Sequence, residues 1–218
     1  ATWQLEHKPA QPVQVIVGAP GSGIEQAVLH FARQKRWRII GPPSPSQILD
    51  GGNVWLEKVK DFNSGPIVIP RLGKCYLRHQ DGLNLMSKLL EWLRTTTRRV
   101  LIACDSWAWS YLRHSLEVDI MLPEPLTLAP FDGARLQFWL PSLARRIHQD
   151  AFIFRDMKDG HLLFPITGND DIYKTQEENP TSIQRYGDWV TVNNLLRQLA
   201  AYSRGMPEII WSMWRSCL

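Results

Sequence analysis

Residues 13–25 read VQVIVGAPGSGIE, and this stretch decides the fold class. The apolar run Val13–Val17 stops at a glycine, as a buried strand does, and a helical pattern follows from Gly23. Gly18 and Gly23 meet the G-x-x-x-x-G frame of a glycine-rich loop that can cradle phosphate. The strand, the turn and the helix together predict an anion-binding loop at the end of a buried strand.

The two positions that follow the glycine frame lack the side chains that bind a nucleotide. In the complete motif a lysine holds the β/γ-phosphates, and a serine or threonine hydroxyl holds Mg²⁺. These positions are Ile24 and Glu25 here, and the glutamate places negative charge where phosphate would lie. The loop therefore predicts a domain that has the fold of a nucleotide hydrolase but does not hydrolyse nucleotide. Its backbone N–H groups keep phosphate binding open as an alternative to a loop that only packs.

Strand and helix patterns alternate about five times from Val13 to Leu128. This alternation predicts an α/β fold with a five-stranded parallel sheet between helices, in which ligands bind at the carboxyl ends of the strands. One helix is expected from a Ser46 cap to about Lys60, and Asp119–Leu122 is a further candidate for the fifth strand. The predicted strands are Val13–Val17, Trp37–Ile40, Ile67–Ile69, Val100–Cys104 and Leu126–Leu128.

Polar residues at two more strand ends complete the candidate site. Pro70 and Arg71 follow the third strand, and neither can ligate a cation. Arg71 is a candidate to bind an anion or a carboxylate, although a surface or interdomain ion pair is the simpler interpretation. Asp105 or Ser106 could orient a water, but Ser106 is the expected cap of the next helix. The candidate phosphate-binding residues are Gly18, Gly21, Ser22, Gly23, Arg71 and Asp105.

The pattern changes after Pro130. Residues 131–148 are mostly helical, residues 152–164 suggest a hairpin around Gly160, and residues 168–187 are polar and irregular. Helices are expected from Asp188 to Tyr202 and again from Pro207. We therefore predict an α/β core over residues 1–130 and a smaller helical subdomain over residues 131–218, with an irregular insertion at about 150–188.

Composition narrows the classes of partner and ligand. The net charge of +4 is mild, and solvated helix ends explain the basic clusters, which disfavours nucleic acid as a partner. Three widely spaced cysteines form no disulfide framework, so a reduced, cytoplasmic chain is expected. Cys75 and His79 have no matching pair elsewhere, so no metal is expected. No apolar run is long enough to span a membrane, and both ends suggest a domain cut from a longer protein.

The pattern as a whole resembles the P-loop NTPases of the AAA+ and related STAND group. Gly18–Glu25 stands at the Walker A position, Ile67–Arg71 at Walker B, and Val100–Ser106 at the strand that carries sensor 1. Leu126–Phe131 resembles the joint between core and helical lid in these ATPases. Tyr202–Glu208 resembles the lid turn that carries sensor 2, and this part of the chain is therefore expected to be lid-like.

The resemblance implies ATP or ADP as ligand, whereas the degenerate Walker A and Walker B motifs argue against hydrolysis. We expect a catalytically inactive AAA+-like domain, without a cofactor, that serves as an interaction or scaffold module. Its partners would be another protein, the remainder of a larger chain, or further copies of itself. Two alternatives stay open: a domain that senses nucleotide without turnover, and a weakly active enzyme that uses Arg71 and Asp105. Arg113 is the candidate arginine finger.

Overall fold

The structure, a computed structural model, describes residues 12–61, 65–147, 154–155, 157, 160, 163–164 and 193–216 of the 218-residue chain. The described residues divide between two compact units, with the division between Ala129 and Pro130. The first unit contains the sheet and the candidate site, and the second is helical.

The predicted five-stranded parallel sheet is confirmed. Its strands lie in the order β2-β3-β4-β1-β5, and every pairing is parallel. The longest pairing joins β1 to β4 over six residue pairs, from Val13 opposite Val100 to Gly18 opposite Asp105. The strands are β1 (Val13–Gly18), β2 (Arg38–Ile39), β3 (Ile67–Ile69), β4 (Val100–Asp105) and β5 (Leu126–Thr127).

Helices cover both faces of the sheet. Side chains alternate across each strand, so the apolar strands present buried side chains to both faces. On one face, Ile16 and Leu101 pack with α1. On the other face, Val15 and Ile102 pack with the remaining helices in the largest core cluster. The helices of this unit are α1 (Ile24–Lys35), α2 (Pro45–Leu49), α3 (Asn53–Lys60), a 3-10 turn (Leu72–Lys74), α4 (Asn84–Thr95), α5 (Ser106–Leu116) and α6 (Val118–Met121).

Two local predictions in this unit are wrong. The helix expected from Ser46 to Lys60 is two helices, and its cap is Ser44, whose side chain forms a capping box with Gln47. Gly51 and Gly52 separate the two helices because both adopt a left-handed backbone conformation. The candidate strand Asp119–Leu122 is instead covered by the short helix α6, and Leu126 supplies the fifth strand.

In the described part of the second unit, three helices pack around a core that includes Leu136, Leu196, Ile210 and Trp214. The helices are α7 (Gly133–Ile147, with Pro141 inside), α8 (Asn194–Tyr202) and α9 (Pro207–Ser216). The described helix α8 begins at Asn194 rather than Asp188, because the Asn193 side chain caps it. The polar segment 168–187 lies outside the described residues, as does most of the predicted hairpin, although the Leu163 N–H donates to the Phe154 carbonyl at 3.0 Å.

The two glycines before α3 give a matched test of the packing. A Cβ at Gly52 would lie 2.4 Å from Cδ1 of the buried Leu85, whereas a Cβ at Gly51 would meet only the Lys88 Nζ at 3.2 Å. Both glycines have positive φ, so either alanine substitution is expected to cost about 1–2 kcal/mol. Gly52→Ala should cost about 1–3 kcal/mol more from overpacking. Urea denaturation measures both, and equal losses would contradict this packing.

Candidate functional site

The site lies where the sheet connections reverse direction. From β1 the chain leaves through α1 on one face and reaches β2 at the far edge; from β4 it leaves through α5 on the other face and crosses to β5. Because β1 and β4 are neighbours, their carboxyl ends form the kind of crevice in which ligands bind in open parallel sheets. Gly18 and Asp105 lie opposite each other at this point.

The glycine-rich loop is a tight turn that leads directly into α1. The Ser22 N–H donates to the Ala19 carbonyl at 3.0 Å. Pro20 and Gly21 are the central residues, and the φ of 78° at Gly21 fits the third position of a type II turn. Gly23, with φ 73°, is the N-cap of α1, and no side chain caps this end. The first N–H groups of α1 are therefore left for other acceptors.

Ser22 fills the inside of the loop. A Cβ at Gly18 would lie 2.4 Å from the Ser22 Oγ, so the serine side chain occupies the space that a larger residue at position 18 would need. The Ser22 Oγ is buried and has no hydrogen-bond partner among the residues that the structure describes. A buried hydroxyl without a partner is costly, which makes this atom the polar feature of the loop that most needs an acceptor or donor.

Glu25 and Arg71 form an ion pair across the site. The Arg71 Nε lies 2.5 Å from the Glu25 Oε1, and the two side chains are 50% and 27% exposed, respectively. Glu25 lies in the first turn of α1, where the positive end of the helix dipole favours a carboxylate. Arg71 lies just beyond β3 and precedes the 3-10 turn. The pair therefore joins the start of α1 to the end of β3, and it is a part-exposed ion pair within the chain, which is the simpler of the two interpretations of Arg71.

Asp105, rather than Ser106, is the cap of α5. The Asp105 Oδ1 accepts a hydrogen bond from the Ala108 N–H at 2.8 Å. The expected cap was one residue too late because β4 runs into α5 without a loop, so the last extended residue is Asp105. A Cβ at Gly73 would lie 2.8 Å from the Asp105 Oδ2. Both oxygens of Asp105 therefore lie against the protein's own backbone rather than in an open crevice.

Two buried thiols lie beside the site. Burial raises the pKa of Cys75 to about 12. Burial also raises the pKa of Cys104, with smaller contributions from Asp105 and Cys75, while the Gly73 N–H acts in the opposite direction. Because the thiolate is the reactive form, both cysteines are inert packing residues near neutral pH. In the described part of the chain, no three His, Cys, Asp or Glu residues are grouped so that they could hold a metal ion.

Arg113 and Trp107 both lie in α5. The Arg113 Nε lies 3.3 Å from the Asp119 Oδ2, so the candidate arginine finger makes a local ion pair at the end of α5. Trp107, in the first turn of α5, is 74% exposed. Its position two residues after Asp105 places a large apolar side chain beside the site.

The structure brings the predicted site residues to one edge of the sheet and adds Glu25 to them. A sequence signal for this pairing was available, since opposite charges stand at two positions that the predicted sheet places near each other. No protein-family model matches the chain, and no curated protein matches it. Among the described helices, none is long and apolar enough to cross a bilayer. The class that the structure defines is an α/β fold with a parallel sheet flanked by helices.

A double-mutant cycle measures the ion pair. Glu25→Gln, Arg71→Gln and the double variant should give a coupling energy of about 0.5–1 kcal/mol, because the pair is short but part-exposed. The coupling should shrink in 1 M NaCl. The matched control is the Arg113–Asp119 pair, which is longer and more exposed and should couple more weakly. Equal coupling in the two pairs, or none for Glu25–Arg71, would contradict this geometry.

Proposed function

We propose that this chain is a P-loop NTPase-like domain of the AAA+/STAND group that no longer hydrolyses nucleotide and serves as an interaction or scaffold module of a larger protein. The observation that carries the proposal is the Glu25–Arg71 ion pair. It stands where two positions of the resembled motifs, one in Walker A and one in Walker B, would hold a metal ion between them.

The residues present do not fit a magnesium–nucleotide complex. In the resembled ATPases a hydroxyl and an acid position Mg²⁺ from these two sides. Here a carboxylate and a guanidinium meet at 2.5 Å, so the positive charge between the motifs is supplied by Arg71. A carboxylate is a ligand type that Mg²⁺ accepts, but a second cation beside Arg71 would face like-charge repulsion. No hydrolytic step follows from such a site.

Ile24, at the position of the Walker A lysine, packs in the core. Ile24 is 9% exposed and lies in the core cluster between α1 and the sheet, with Ile16 and Val28. It therefore stabilises the start of α1 through apolar burial instead of presenting a charge to a phosphate. At two adjacent positions of the resembled Walker A motif, the side chains therefore make contacts inside the protein and do not match the lysine and hydroxyl of that motif.

These contacts stabilise the start of α1 beside the loop from within the protein. Glu25 complements the positive end of α1, and Arg71 neutralises Glu25 from the end of β3. The exposed Trp107 supports the interaction role, because exposed tryptophans are enriched at the centres of protein–protein interfaces. An exposed aromatic residue of this kind suits a surface that other proteins bind.

A second candidate function is the binding of a nucleotide phosphate without turnover. One observation favours it: the Ser22 Oγ is buried without a described partner, inside a loop that leads to an uncapped helix N-terminus. Backbone N–H groups in such loops bind anions whatever the side chains are. The two candidates differ in whether nucleotide stabilises the fold.

A thermal denaturation series with ATP, ADP and GTP, each with and without Mg²⁺, separates them. The scaffold proposal predicts no stabilisation by any nucleotide and no phosphate release above background. A nucleotide present at 100 times its Kd would stabilise the fold by about 2.7 kcal/mol. Stabilisation that inorganic phosphate reproduces would favour the sensing candidate instead. Turnover that survives purification and is lost in Asp105→Ala would contradict both.

A further inference from the structure

Two basic clusters that lie far apart in the sequence, within residues 33–38 and residues 94–99, meet at the edge of the sheet opposite the candidate site. At this edge the chain starts β2, β3 and β4, and α1, α3 and α4 end. The Arg38 N–H donates to the Pro66 carbonyl at 3.0 Å, and the Ile67 N–H donates to the Arg99 carbonyl at 3.0 Å. These bonds place the starts of the three strands side by side, as the parallel pairing requires.

Side-chain contacts confirm that the clusters converge at the end of α3. The Arg38 Nη1 lies 3.3 Å from the Asp61 Oδ2. Arg98 donates to the Val59 carbonyl at 2.8 Å and also to the Asp61 carbonyl. Arg38, at the start of β2, and Arg98, just before β4, thus both bind the segment 59–61. We call the segments 33–38, 58–61 and 94–99 the basic edge.

The basic edge has a strong excess of positive charge. It contains one acidic side chain, Asp61, while Glu57 directly precedes the second segment and Glu91 lies three residues before the third. Six of its cations are exposed: Arg33, Lys35, Arg36, Lys58, Arg94 and Arg99. Three more, Arg38, Lys60 and Arg98, are part-buried. Cations in the last turn of a helix complement the helix dipole, and this effect explains why single basic residues end these helices. It does not explain the basic residues that lie between a helix and the next strand.

Arg36 carries a charge at a position where the backbone conformation favours glycine. It ends α1 with φ 55°, in the left-handed region where glycine is the usual residue at such a position. A side chain in this conformation is less favourable than glycine. The arginine therefore adds a cation to the edge at a position where the fold alone would favour glycine.

We propose that the basic edge binds the phosphate backbone of a nucleic acid, independently of base sequence. Six of the nine cations are arginines, which bind phosphate oxygens in bidentate fashion. The edge runs across a sheet with helices on both faces, so it spans about 20 Å, taking each helix as about 10 Å in diameter. Duplex DNA carries one charge per about 1.7 Å of axis when both strands are counted, so about twelve phosphates lie along this span, and the surface can contact a part of them.

The surface is less suited to a membrane. Interfacial membrane surfaces insert large exposed apolar side chains beside their cations. Among the described residues of the three segments, Val59 is buried, and Trp37 is part-buried with its ring edge-on to Phe31 at 5.3 Å. The sequence alone disfavoured nucleic acid because each cluster could be explained as a separate helix end. The folded sheet joins the clusters into one surface.

The test uses the 218-residue chain with fluorescein-labelled 20-base-pair DNA and 20-nucleotide RNA, followed by anisotropy in 50–200 mM NaCl. With about four phosphate contacts, duplex affinity should fall on the order of 100-fold across this range. Unrelated sequences of the same length should bind equally. Absence of binding at 50 mM NaCl, or affinity that does not change with salt, would overturn the proposal.

Matched variants locate the surface. Arg36→Gly removes one charge while relieving the left-handed backbone, so the thermal midpoint should not fall. The triple variant Lys35→Gln, Arg36→Gly, Arg99→Gln should reduce the steepness of the salt dependence by about three phosphate contacts. Lys74→Gln, an exposed cation that follows β3 at the other edge, should bind like wild type. Unchanged affinity in the triple variant would overturn the assignment.

Two further probes test the class of partner. The first probe is vesicles that contain 30% phosphatidylserine, and the second is poly-glutamate. Each presents negative charge without a nucleic acid backbone. Both should compete for labelled DNA more weakly than unlabelled DNA does at equal charge concentration. Stronger competition by either would overturn the proposal in favour of a membrane or an acidic protein. The glycine-rich loop lies at the other edge, so these results and the nucleotide series test separate claims.

Discussion

The parallel pairing of β1 with β4 is the constraint on which the rest of the structure depends. It runs over six residue pairs, and its side chains feed the core on both faces of the sheet. Because β1 ends at Gly18 and β4 ends at Asp105, the pairing fixes the glycine-rich loop beside the start of α5. It also orders β2 and β3 on one side, which gathers the helix ends of the basic edge.

At the carboxyl edge of this sheet, the side chains of the candidate site make contacts inside the protein. Glu25 holds Arg71, Ile24 packs under α1, and Asp105 caps α5. Each of these contacts stabilises the local structure. The opposite charges at positions 25 and 71 are the central example, since their ion pair joins the start of α1 to the end of β3.

The sheet was predictable because its signal is local. Buried strands such as Val100–Asp105 are short apolar runs that stop at turn residues, and the alternation with helices defines the parallel arrangement. The capping of α5 was misplaced by one residue, since two neighbouring residues can both act as caps and only the end of the strand decides between them. The Glu25–Arg71 contact was not predicted because it depends on side-chain directions across 46 positions of sequence, which periodicity does not encode. The convergence of Arg38 and Arg98 on α3 was missed for the same reason.

The most direct test of the central claim is to exchange the ion pair for the groups that hold a metal. Titration calorimetry would compare ATP affinity, with and without Mg²⁺, in wild type, in Ile24→Lys with Glu25→Thr, and in the same variant with Arg71→Asp added. If Arg71 occupies the place of the metal, only the triple variant should gain affinity from Mg²⁺, by tenfold or about 1.4 kcal/mol. A folded triple variant whose ATP affinity does not respond to Mg²⁺ would contradict the account.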